Sequence, residues 1–160
     1  MTRLDGHLPI PASLRGGVIA LGNFDGFHKG HQAVVGRAVR HARDEGRAAI
    51  VATFDPHPVR HFRPDTPPFR LTTLDQRQEL FGSAGADAML VIPFDAAMAA
   101  TSAEDFITTL LLDRYGAAGV VTGADFVFGK GRSGNVVTLA DHARQLGFFT
   151  EMVSPVGDGD

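Results

Sequence analysis

Val18-Ile19-Ala20-Leu21-Gly22-Asn23-Phe24-Asp25-Gly26-Phe27-His28-Lys29-Gly30-His31 joins an apolar run to an amphipathic one through a glycine-punctuated turn that carries two histidines. Val18 to Leu21 read as a buried strand, and beyond the turn Val34, Val35, Ala38, Val39 and Ala42 recur at the spacing of one helical face. The turn therefore leads from a strand into a helix N-terminus. Unpaired backbone N–H groups and the positive end of the helix dipole favour anions there, and glycine allows a phosphate close to the backbone. The spacing His28-x-x-His31 puts both imidazoles on one face if residues 27–30 already belong to the first helical turn, so that both can reach one phosphate. For either histidine alone, the alternative is a solvated residue at a helix start. A zinc site would need a third ligand from elsewhere and the chain has no cysteine, so no metal ligand is assigned.

Outward from this turn, apolar runs alternate with helical patterns. Residues 48–54, 88–92, 118–123 and 148–153 read as four further strands. The first helix is expected to end near Gly46. Thr73 with Gln76 forms a capping box ahead of Leu80 and Phe81, and Thr101 with Glu104 a second one ahead of Phe106, Ile107, Leu110 and Leu111, closed by Gly116. A last helix is placed within 139–146. Phe54 and Phe106 are assigned to the core. Strands alternating with helices imply an α/β fold, a Rossmann-like doubly wound parallel five-stranded sheet with helices on both faces. Pro56, Pro58, Pro64, Pro67 and Pro68 exclude regular structure and mark a long loop, either a wall of a binding site or a tolerated insertion. Ligands in such sheets sit beyond the carboxyl ends of the strands, so 22–31, 55–62 and 125–131 are expected to meet in one crevice.

The 160 residues, 44% of them hydrophobic, suffice for one domain, 1–160. With 15 basic and 18 acidic residues the net charge is −3, which offers no basic field for nucleic acid. The absence of cysteine excludes disulfides and cysteine nucleophiles. Asp5, His7, Pro9, Pro11 and Arg15 interrupt the first fifteen residues, so no signal peptide is read there, and no later run is long enough to span a membrane. The expectation is a soluble cytoplasmic protein. Gly129-Lys130-Gly131-Arg132-Ser133-Gly134 matches the GxGxxG letters, but it neither follows a strand directly nor opens a first βα unit. A P-loop fails on spacing and on Gly131 after Lys130. Pro58 between His57 and His61 excludes a zinc-binding helix there. His41 and His142 read as solvated positions on helices.

The string GNFDGFHKGH at 22–31 resembles the signature of the HxGH nucleotidylyltransferases, and in particular of the bacterial FAD synthetases, the bifunctional riboflavin kinase/FMN adenylyltransferases. Thr53-Phe54-Asp55-Pro56-His57-Pro58, Leu71-Thr72-Thr73-Leu74, Pro93-Phe94-Asp95 and Gly123-Ala124-Asp125-Phe126-Val127-Phe128-Gly129 resemble that family's segments in its order, covering 17–156. The resemblance implies transfer of AMP from ATP to FMN, giving FAD and pyrophosphate with Mg²⁺. His28 and His31 would be catalytic and touch the ATP phosphates, with Gly22, Phe24, Asp25 and Gly30 shaping that pocket. Pro56, Pro58, Phe62, Asp125 and Phe128 would face the flavin, although core packing is the competing role for Phe62 and Phe128. The family continues into an SSTxIR-like segment and a riboflavin kinase domain, whereas this sequence stops at Asp160. The expectation is a truncated adenylyltransferase module whose parent chain carries the kinase, with no kinase activity of its own. Two alternatives remain: another small HxGH nucleotidylyltransferase with a different phosphorylated acceptor, and a non-catalytic nucleotide- or flavin-binding fragment.

Overall fold

The computed structural model describes residues 1–24, 27–56 and 72–154. In chain order the elements are β1 (Thr2–Asp5), β2 (Val18–Gly22), α1 (Lys29–Glu45), β3 (Ala49–Asp55), α2 (Leu74–Ser83), β4 (Ala88–Pro93) and α3 (Ala96–Ala99). There follow α4 (Ala103–Asp105), which runs into a π-helical segment (Phe106–Arg114), then β5 (Gly119–Gly123), a 3₁₀ turn (Lys130–Arg132), α5 (Val136–Leu146) and β6 (Phe149–Val153). The strands form one parallel sheet of six, in the order β1-β4-β3-β2-β5-β6. The five expected strands are present. The sixth, β1, pairs with β4 in the register Thr2↔Ala88 to Asp5↔Val91. Its sequence escapes a hydrophobic-run reading because only Leu4 of the four residues is buried.

Strand side chains alternate between two cores, as the period of two requires. Ile19, Leu21, Ile50, Ala52, Leu90 and Ile92 face the layer that holds Phe106, Ile107, Leu110, Leu111, Leu139 and Ala143. Val18, Ala20, Val51, Met89 and Val121 face the opposite layer, with Val34, Val35, Ala38 and Ala42 of α1 and Phe81 of α2. The sheet is therefore covered on both faces, and Phe54 and Phe106 lie in the core as expected.

The chain steps from β2 through β3 to β4 on one side of β2, then returns to place β5 on its other side. That reversal opens a gap above the carboxyl ends of β2 and β5, because the connections leaving the two strands diverge. Local signals fix the helices that frame it. Gly46, at φ 67°, ends α1 in the left-handed conformation. Thr73 and Gln76 make the expected capping box on α2. Two boundaries differ from expectation. Ser102, not Thr101, caps α4 by accepting from the Asp105 N–H, and α5 begins three residues before 139, at Val136, on a capping box formed by Asn135 and Thr138.

Candidate active site

A crevice of about 350 Å³ occupies the gap, lined by residues that include Gly22, Phe24, His28, Gly30, His31 and Asp125. The histidine turn after β2 and the acidic turn after β5 thus meet in one place. Asn23, Phe126 and Val127, within the expected segments but given no role of their own, also line it, as do two residues outside those segments, Val153 and Ser154. The last two follow from β6 being the neighbour of β5, a pairing that strand patterns alone do not give. Of the segment after β3, Asp55 and Pro56 are described and lie outside this lining. Asp25, Pro58 and Phe62 lie outside the described residues.

His28 occupies the N-cap of α1. Its Nδ1 accepts hydrogen bonds from the backbone N–H groups of Gly30 (3.1 Å) and His31 (3.4 Å). An Nδ1 that accepts carries no proton, so the neutral ring holds its hydrogen on Nε2, a donor with no role in the cap. The rings of His28 and His31 stack with centroids 3.6 Å apart. Gly30 leaves this ring its room: a Cβ on it would stand 3.0 Å from His28 Cε1 and 3.2 Å from Nδ1, so the imidazole would have to give by a few tenths of an ångström.

The turn itself is braced from behind. Phe24 and Phe27 flank Asp25 and Gly26 with φ of 51° and 41°, left-handed values unfavourable for a bulky side chain. Both rings pack edge-on against Phe81 of α2, with centroids 5.8 Å and 5.3 Å away. Phe24 also meets His31 edge-on at 5.3 Å. Aromatic packing thus offsets backbone strain and fixes the second imidazole.

On the far wall, Asp125 is exposed and Phe126 is half-buried behind it. Phe128 is 6% exposed and packs on Phe106 (5.4 Å) and on Phe126 (5.8 Å, 17° from parallel), outside the crevice lining. The structure therefore places Phe128 in the core, because the Phe128–Gly134 bridge folds the chain back and turns the ring inward. Phe126 presents the aromatic surface instead. Lys130 and Arg132 form the 3₁₀ turn beyond, tied to the connection between α3 and α4 by the Lys130 N–H donating to the Thr101 carbonyl.

β6 delivers Val153 and Ser154 to the crevice and is clamped to α1. Arg37 Nε donates to Glu151 at 2.8 Å, and His41 Nε2 lies 2.5 Å from the same carboxylate. The hydrogen bond from Arg37 leads in holding the Glu151 carboxyl below its ordinary pKa, against a partial desolvation that pushes it up. His41 thus contacts the Glu151 carboxylate and is not the solvated residue its helical position suggested. Among the described residues no three His, Asp or Glu side chains gather to hold a metal ion. No described helix is long and apolar enough to cross a membrane.

The FAD synthetase family matches residues 10–160. The bifunctional riboflavin kinase/FMN adenylyltransferase of Escherichia coli (strain K12) is 34% identical over 137 residues, which are 86% of this chain and 44% of that protein. Its counterpart from Pseudomonas fluorescens is 35% identical over 142 residues, 89% of this chain and 45% of that one. The chain thus spans under half the length of these relatives. A solved structure described as a macrolide-efflux protein from Streptococcus pneumoniae superposes over 99% of this chain and 51% of its own, with a TM-score of 0.85 at 23% identity. That likeness concerns the fold.

Proposed function

Because the chain belongs to the FAD synthetase family, we propose that it transfers the adenylyl group of ATP to FMN, releasing pyrophosphate and forming FAD. The observation that carries this reading is the meeting of His28, His31 and Asp125, from the ends of β2 and β5, in one crevice at the point where the sheet order reverses. A phosphate oxygen of FMN would attack the α-phosphorus of ATP while the bond to the pyrophosphate oxygen breaks. Such a transfer needs no protein nucleophile; it needs two anionic partners held in line and donors for the charge on the non-bridging oxygens. The Nε2–H of His28 supplies one donor. His31 stands beside it on the first turn of α1, whose dipole favours the anion. Gly22, Phe24, Asp25 and Gly30 would shape the ATP pocket.

On the flavin side, Asp125 is suited to the polar edge of the ring, with Pro56, Pro58 and Phe62 as the remaining family positions. Phe126 supplies aromatic surface, and Phe128 supports it from behind. Mg²⁺ would arrive on the triphosphate, since that ion keeps most of its water and binds substrate phosphates more readily than all-protein cages; it would neutralise phosphate charge. A riboflavin kinase domain in the parent polypeptide and a cytoplasmic location complete the reading. The test is formation of FAD and pyrophosphate from ATP and FMN by the full natural polypeptide, resolved chromatographically. Turnover with FMN but not with phosphopantetheine or nicotinate mononucleotide is expected. Binding of both ligands without pyrophosphate release would leave a non-catalytic module.

A further inference from the structure

Arg77 is the one charged side chain among the buried described residues, 2% exposed, and it lies on α2 rather than on any segment that lines the crevice. Taking a guanidinium out of water is unfavourable by several kcal/mol unless its N–H groups are bonded, so its partners reveal what it holds. Arg77 Nη1 donates to Thr53 Oγ1 at 2.9 Å. Thr53, fully buried on β3, donates its own hydroxyl hydrogen to the Asn23 carbonyl at 2.7 Å. Since the hydroxyl accepts from Arg77, its single hydrogen is directed at Asn23. Arg77 Nη2 also stands 3.9 Å from Asp55 Oδ1, where β3 ends. One buried cation thereby ties the exit of β2 to the exit of β3. Phe81, one helical turn on and on the same face, braces Phe24 and Phe27.

We propose that Arg77 is a positioning residue for nucleotidyl transfer: through Thr53 it fixes the Asn23 carbonyl, and with it the turn that presents Phe24, His28 and His31 to the nucleotide. This rests on the adenylyl-transfer reading above. Packing alone does not require the cation, because an apolar side chain fills the space between a helix and a sheet without its desolvation. What an apolar side chain lacks is the directional bond that orders the carbonyl immediately before the left-handed Phe24.

The test uses Thr53→Val, which removes the hydroxyl and keeps the branched shape, Thr53→Ser, which restores the hydroxyl, and Arg77→Met. Two readouts are taken on folded protein: amide hydrogen exchange across 22–31, and steady-state kinetics with ATP and FMN. Thr53→Val and Arg77→Met should speed exchange in that turn and lower kcat by about 10-fold or more, as misplacement of reacting groups does, while KM for FMN changes by less than about two-fold. Thr53→Ser should recover both. A lowered melting temperature with parental exchange and parental kcat in Thr53→Val would make the network purely structural and overturn the proposal. If the parent forms no FAD, the adenylyl-transfer reading fails separately, and exchange across 22–31 still decides whether the network orders the turn.

Discussion

His28 and His31 lie face to face at the start of α1, their ring planes 21° from parallel and their centroids 3.6 Å apart. One ring is held by the helix N–H groups and the other by the edge of Phe24, so each imidazole limits the motion of its neighbour. Substitutions at the two positions should therefore couple and not add.

His28→Ala removes both an N-cap and a donor. It should lower stability by about 1 kcal/mol and transition-state stabilisation by about 3 kcal/mol, roughly a hundred-fold in kcat. His28→Asn restores a good cap, so its melting temperature should return toward the parent while turnover stays low. FMN affinity, followed by fluorescence quenching, should change little in either. A His28→Ala, His31→Ala double variant with parental turnover would remove the histidines from the chemistry.

Gly30→Ala separates helix stability from site geometry. Alanine is favoured over glycine in helices by up to about 1 kcal/mol, yet here its Cβ meets the His28 ring at 3.0 Å. Calorimetry should find the melting temperature nearly unchanged. Turnover should fall, because the imidazole must shift by a few tenths of an ångström from its capped position. Parental kcat would show that the capped position of His28 is not the productive one.

Phe128→Ala and Phe62→Ala should part ways. Truncating a buried phenylalanine costs about 3–5 kcal/mol, so Phe128→Ala should lower the melting temperature sharply. Phe62→Ala, at a position proposed to face the flavin, should keep the melting temperature and weaken FMN binding by about 1 kcal/mol, the worth of one aromatic contact. Parental stability in Phe128→Ala would take that ring out of the core.

The Glu151 clamp gives stability a dependence on acid. Its carboxyl holds a proton less tightly when folded than when unfolded, chiefly through the hydrogen bond from Arg37. The contribution is therefore fully present above the ordinary value of 4.5 and is lost as pH falls through the lower folded value. Glu151→Gln should melt below the parent at neutral pH, with the gap closing in acid. A gap that stays constant down to about pH 3 would show that the carboxylate charge contributes nothing.

Much of this arrangement was legible in the sequence where local chemistry sets it. The apolar runs of β2 to β5 mark their own burial, the Thr73 and Gln76 box starts α2, and glycine stops α1. What was not legible depends on contacts distant in sequence. β1 is a strand because β4 offers an edge, not because Thr2–Asp5 are apolar. Phe128 and Phe126 are two residues apart and alike in composition, and only the Phe128–Gly134 bridge decides which turns inward. Arg77 resembles any helix-surface arginine until Thr53 and Asp55 are seen beneath it.

β1 has one more consequence. β4 is almost wholly hydrophobic, with Ala88, Met89, Leu90 and Ile92 buried, and without its outer neighbour it would be a bare ladder open to another molecule's strand. β1 closes it with four residues, three of them exposed, and Arg3 pins the strip to Gln78 and Asp75. A short charged border is a poor template for further pairing. Solubility at high concentration thus hangs on a strand remote from the crevice, and damage to it would surface as aggregation before any loss of turnover per folded molecule.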